Sequence, residues 1–194
     1  MPRAFAVTFD YRCPFARHMH MGLVAGLDNG ADWSVRFLPF SLDQVHVPEG
    51  DPPVWDRPSG ERGSGVRALE WGLAVRDAFP DRFGAFHLAV FDIRHVHGKR
   101  FTEETLRDAA AAAGLDADAV AEEVANDRPI KTLAAEHTEA VERWAVFGVP
   151  TIIDGDEAAF VRLMRPAETA DVEELLVSLQ RTDLNEFKRT RVPR

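Results

Sequence analysis

The chain has almost no cysteine. Cys13 is the single thiol among 194 residues, so an internal disulfide is excluded and any disulfide chemistry must involve a second molecule. Nor is there an excess of basic charge. Lys and Arg total 23 against 32 Asp and Glu, a formal net charge of −9, which argues against nucleic acid or an anionic membrane as a generic partner. No apolar run approaches the length of a membrane span. Met1-Pro2-Arg3-Ala4-Phe5 leads into the first strand without a long apolar signal segment, so the expected compartment is the cytoplasm. Internal repeats, a phosphate-cradling glycine loop and a Ser-His-Asp pattern are also missing. What is there is an ordinary globular composition, long enough to bury one core, or a core plus an inserted subdomain, without disulfides or metal.

The position of the lone thiol is informative. Ala4-Phe5-Ala6-Val7-Thr8-Phe9 has the length and the β-branched and aromatic content of a buried strand. Pro14 suits the first turn of a helix, with its angle pre-set and no donor to waste. Cys13 is therefore expected at or beside a helix N-terminus, where unpaired N–H groups and the positive dipole end favour a thiolate. Arg17, one turn on, adds a cation. Such surroundings lower a thiol pKa from its ordinary ~8.5 by about one to several units. The competing reading, a small buried hydrophobe, is the usual one for a single cysteine, but it does not require Pro immediately afterwards.

Apolar residues at Ala16, Met19, Leu23, Val24 and Leu27 recur at helical spacing until Asn29-Gly30, and Trp33, Val35 and Phe37 then alternate as in a strand. The opening reads β–α–β, a parallel pair with a right-handed crossover. From Pro39 to about Gly65 the chain is dense in Pro and Gly, a functional wall, a lid or a disordered segment, with Trp55 as a packing anchor. Residues from about Val66 to Trp144 read as helical, broken at Pro80, capped by Thr102, stopped by Gly114, restarted at Asp116 and again at Asp127 with Pro129. The last of these helices carries Ile130, Leu133, His137, Val141 and Trp144 on one face. Gly148-Val149-Pro150-Thr151-Ile152-Ile153 then enters a strand, Asp154-Gly155 turns it, Ala158 to Met164 return antiparallel, and Thr169 to Leu179 form a closing helix. The charged tail after Arg181 reads as a frayed or surface helix.

This order, with Cys13-Pro14 at the first helix and Gly148-Val149-Pro150-Thr151 before the third strand, resembles the DsbA family of thioredoxin-fold proteins. Pro39-Phe40-Ser41-Leu42 followed by Pro48-Glu49-Gly50, the stretch from Phe91 to Thr102 with Gly98, and Ala112-Ala113-Gly114-Leu115-Asp116 are similar to its FrnE-like branch, described as predicted dithiol-disulfide isomerases linked to polyketide biosynthesis. The resemblance covers nearly the whole chain. It implies an α/β, thioredoxin-like fold (βαβ…ββα) with an inserted all-helical subdomain: residues 1–64 and 130–194 form the thioredoxin-like domain and 65–129 the insertion. It implies a catalytic motif Cys13, Pro14, Phe15 and Ala16, and a cis Pro150 packed beside the thiol, with the backbone of Val149 and the adjoining Thr151 facing substrate. A cis X–Pro bond and free backbone groups beside a nucleophile suit pairing with a visiting chain. The departure is at Ala16, where typical members carry the second, resolving cysteine. Thiolate attack on a disulfide remains open to Cys13, but another thiol must release the adduct. The segment Phe160 to Pro166 also lacks the Gly-Ala pattern of that branch.

Around the motif, Tyr11 and Phe15 are candidates for an aromatic wall for a ligand, with covering the core as the simpler reading. Arg12 and Arg17, solvated charges by default, are candidates for attracting the carboxylates of glutathione or mycothiol, the low-molecular-weight cosubstrates this chemistry implies; no tightly bound cofactor is expected. His20 is read first as a partly buried polar residue and second as a proton partner for the thiol. His95-Val96-His97 does not make a metal site, because i and i+2 share no helix face. Three functions compete. The first is a monothiol oxidoreductase acting on a small-molecule or protein thiol or disulfide. The second is a small-thiol-dependent transferase or isomerase, resembling kappa-class glutathione transferases or hydroxychromene-carboxylate isomerases. The third is a non-catalytic binding protein of the same fold.

Overall fold

The computed structural model describes residues 1–186. Strand β1 (Arg3–Phe9) is buried from Phe5 onward because it is an inner strand of a four-stranded sheet, order β2-β1-β3-β4. It pairs in parallel with β2 (Trp33–Pro39), from Arg3 opposite Trp33 to Phe9 opposite Pro39, and antiparallel with β3 (Thr151–Asp154), Val7 opposite Ile152. The crossover between β1 and β2 is helix α1 (Pro14–Asp28), whose stop at Asn29 is followed by Gly30 at φ 78°. Gly26 of α1 lies so close to the Trp33 ring that a Cβ there would collide with it. The α/β, thioredoxin-like fold is thus the one the sequence implies.

The Pro/Gly-rich stretch holds short regular elements. It contains a one-turn helix α2 (Leu42–Val45), capped by the Ser41 hydroxyl, and 3-10 turns at Val54–Asp56 and Ser59–Glu61. Trp55 packs on His137 with ring centroids 5.3 Å apart, the anchoring role expected of it. Helices α3 (Ser64–Ala78), α4 (Pro80–His95), α5 (Glu103–Ala112), α6 (Ala117–Ala125) and α7 (Arg128–Trp144) follow. Pro80 takes the first turn of α4, and Thr102 with Thr105 forms a capping box on α5. Asp127 does not cap α7 with its side chain: it sits at φ 58°, and Asn126 Oδ1 instead accepts the Arg128 N–H at 2.9 Å. On α7 the buried stripe runs through Ile130, Leu133, His137 and Ala140, whereas Val141 is exposed. Strand β4 (Glu157–Phe160) is shorter than the sequence suggests, and α8 (Thr169–Leu179) closes the fold against α1, β3 and β4. The expected tail helix falls largely outside the described residues.

The sheet and helix α4 share one aromatic core. Phe9 of β1, His20 of α1, Phe37 of β2, and Phe83, His87 and Phe91 of α4 stack edge-on or tilted, with Tyr11 at the same centre. Inside it the hydrogen bonds fix every proton. The Thr8 carbonyl only accepts, so His20 carries its proton on Nε2 (3.3 Å); His20 Nδ1 then accepts from His87 Nε2 (2.8 Å), and His87 Nδ1 accepts the Tyr11 hydroxyl (2.8 Å). Burial holds both imidazoles neutral, His20 pushed down to about 3 and His87 well below the usual range. His20 is therefore a core residue, bonded to Thr8 and His87 and not to the thiol.

Candidate active site

The loop leading into α1 is clamped from three sides. Both oxygens of Asp10, a fully buried carboxylate, accept backbone N–H groups, Oδ1 from Arg12 and Oδ2 from Leu42, each at 2.8 Å. Its carbonyl accepts the Cys13 N–H at 3.0 Å. From α4, His95 Nε2 donates to the Tyr11 carbonyl at 2.9 Å. Asp residues make such side-chain turns readily, so the Asp10 turn has a sequence signal; the His95 tie has none.

Cys13 is the N-cap of α1, with Pro14 at the first turn. Its Sγ accepts the Ala16 N–H at 3.4 Å, and its S–H donates to the Val149 carbonyl at 3.3 Å. The Val149–Pro150 peptide bond is cis. The segment holding it is pinned by the Thr8 hydroxyl, which accepts the Thr151 N–H (2.8 Å) and donates to the Gly148 carbonyl (3.4 Å), while Thr151 Oγ1 donates to the same carbonyl (2.8 Å). From the far side the Val161 N–H donates to the Pro150 carbonyl at 3.0 Å. Thus Cys13, Val149, Pro150 and Thr151, far apart in sequence, meet at one point. Pro14 is exposed, Phe15 half-buried, and Ala16 fully buried under the thiol.

Three expectations are corrected. The thiol is not lowered: with only 8 % of Cys13 exposed, burial pushes it above its ordinary value, helped by the Asp10 charge, and this outweighs the Ala16 and Phe15 N–H groups and the Arg162 charge that favour a thiolate. Tyr11 is not a wall for a ligand; it is fully buried against His87, Phe9 and Phe91. Arg17 and Arg12 are committed cations, Arg17 to Asp92 of α4 at 2.8 Å and Arg12 to Asp43 at 2.7 Å. The cation whose charge reaches the thiol is Arg162, whose guanidinium carbon lies 5.3 Å from the Phe15 ring centre and 5.2 Å from that of Phe160. No local pattern marks it, since strand pairing alone brings it to α1.

Among the described residues no three His, Cys, Asp or Glu side chains are grouped to hold a metal ion, and no helix is long and apolar enough to cross a membrane. Two surface depressions, of about 630 Å³ along α7 and about 540 Å³ against β1 and β2, are not lined by Cys13, Phe15, Val149 or Pro150.

A thiol capping a helix beside a cis proline, on a thioredoxin-like sheet carrying a helical insertion, defines the class of DsbA-like domains. The model of the DSBA-like thioredoxin domain matches residues 73–171, half of the chain, and the chain belongs to that family. Among solved structures, the fold is similar to MdbA, a thiol-disulfide oxidoreductase from Actinomyces oris (19% identity, 91% of this chain and 80% of that one, TM-score 0.62). It is also similar to the oxidoreductase DsbA from Xylella fastidiosa (20%, 92% and 86%, 0.61) and to the thiol-disulfide exchange protein alpha-DsbA2 from Wolbachia pipientis (16%, 91% and 81%, 0.60). No curated protein matches the chain.

Proposed function

We propose that the chain is a monothiol thiol–disulfide oxidoreductase or isomerase of the FrnE-like branch, acting in the cytoplasm through Cys13. The observation that carries this reading is the thiol held between the first turn of α1 and the Val149 carbonyl, with alanine at position 16. The Cys13 thiolate attacks a disulfide RSSR, forming Cys13–S–SR and releasing RS⁻, while the thiol proton leaves to water. A second thiol, glutathione or mycothiol by chemical class, then attacks the adduct and frees Cys13, because Ala16 offers no sulfur for an internal resolution. A substrate chain pairing beside the thiol would take the Val149 carbonyl from the Cys13 S–H, since the Pro150 carbonyl and the Thr151 N–H are already held by Val161 and Thr8.

The raised thiol does not forbid this. Each unit of pKa above ambient pH cuts the thiolate fraction about tenfold but raises its intrinsic nucleophilicity about threefold, a net loss of about threefold per unit. The same raised, nearly buried thiol favours a second reading, a non-catalytic binding protein. The transferase or isomerase alternative calls for an apolar chamber between the helical insertion and the thiol.

Mass spectrometry of the native protein after incubation with glutathione disulfide separates the readings, with Cys13→Ser as blank. A mixed disulfide on Cys13 that free thiol removes is the expected result. Its absence, under conditions where a free thiol exchanges, leaves the binding protein ahead.

A further inference from the structure

At the mouth of the site three aromatic rings and one arginine come together from different elements. Phe15 belongs to the first turn of α1, Phe160 ends β4, and Phe147, 70 % exposed, precedes the cis bond; Phe147 and Phe160 stack at 5.1 Å between centroids. Arg162 lies over both Phe15 and Phe160, at 5.3 and 5.2 Å. Stacking on aromatic faces holds a guanidinium in position while leaving its N–H edge available, and that edge matches a carboxylate in two-point geometry. The neighbouring arginines are occupied: Arg12 by Asp43, Arg17 by Asp92, and Arg165 by Asp171 through two bonds of 2.7 and 2.8 Å. Among the described residues the Arg162 side chain has neither an ion pair nor a hydrogen bond. An arginine clear of carboxylates and framed by two rings, one of them two residues along α1 from the thiol, is a specific arrangement.

Resting on the thiol–disulfide reading above, we infer that Arg162, framed by Phe15 and Phe160, is an anion subsite that selects small thiols and disulfides bearing a carboxylate. The sulfur meets Cys13, the apolar connecting atoms lie on the phenyl rings, and the carboxylate takes the guanidinium edge. In exchange at this site RSSR loses RS⁻ to solvent, its other half bonds to Cys13, and the charged group of that half is the one Arg162 holds. A guanidinium–carboxylate pair in a partly exposed site changes rates by up to about fivefold, less as salt screens it.

The test compares mixed-disulfide formation with glutathione disulfide (anionic), hydroxyethyl disulfide (neutral) and cystamine (cationic), each rate divided by that of a free thiol. Because Arg162 also bears on Cys13 protonation, the ratio between disulfides is read and not the absolute rate. Arg162→Gln is expected to lower the anionic-to-neutral ratio by about fivefold, Arg162→Glu to turn the preference toward cystamine, and the paired Arg165→Gln to leave the ratio unchanged. Alkylation by iodoacetate against iodoacetamide reads the same preference without disulfide chemistry. A protein that fails to exchange, yet loses its iodoacetate preference in Arg162→Gln, keeps the subsite and overturns the oxidoreductase reading. A protein that exchanges with ratios indifferent to Arg162 overturns the subsite alone, and one that shows neither overturns both.

Discussion

His137 gives the sharpest handle on the stability of this fold. It is buried on α7 between Phe40, at 4.4 Å between ring centroids, and Trp55, and its Nδ1 accepts the Ser41 N–H at 3.1 Å. That bond requires Nδ1 to be bare. Protonation would set two donors face to face, and burial accordingly pushes the imidazole down to about 4. In the unfolded chain it titrates near ~6.5, so below that value the unfolded state binds the extra proton and stability is lost as pH falls. Between pH 7 and pH 5 this one residue removes about 2 kcal/mol, and the loss levels off below the folded value. His137→Asn keeps an acceptor for Ser41 but nothing to titrate. It is expected to be less stable at pH 7, through lost ring packing, and to recover about 2 kcal/mol relative to the parent on moving to pH 5. Urea unfolding of both proteins across that range measures the difference directly, and the other acid-sensitive groups, including His20 and His87, cancel between them. Parallel stability curves for parent and variant would refute the argument.

Two further outcomes follow from the core and the thiol. Gly72 of α3 faces Tyr11 so closely that a Cβ would strike its hydroxyl and ring, so Gly72→Ala is expected to cost about 1–3 kcal/mol in chemical denaturation; an unchanged midpoint would mean that the Tyr11–His87–His20 chain is not rigid. The pH dependence of Cys13 alkylation is expected to inflect above that of free glutathione, and Arg162→Gln, which removes a charge that favours the thiolate, to move the inflection further up. An inflection below free thiol in the parent would contradict the dominance of burial over the helix N-terminus.

The sequence by itself determined most of the elements and where they stop, because those signals are local; the one-turn helix at Leu42–Val45, the loss of the Asp127 cap and the short β4 were not among them. Pro80, Thr102, Gly114 and the alternation through Trp33 to Phe37 act through neighbouring backbone groups, and the helices and strands begin and end close to them. It also determined that Cys13 caps a helix and that Ala16 offers no second sulfur. Tertiary structure decided what that thiol is like. Its ionisation depends on how much water remains around it, on the charges of Asp10 and of Arg162 just past β4, and on the Val149 carbonyl, which are separated from it in the chain by up to about 150 residues. The same reason explains the residues that pattern alone misjudged or missed. Tyr11 stands two positions from Cys13 yet is enclosed by α4, Arg17 is claimed by Asp92, and Arg162 reaches the thiol only because β4 pairs with β3 and runs on past the Pro150 carbonyl. Local propensity fixes a helix end, but solvation and charge at a point in space are set by everything the fold brings there.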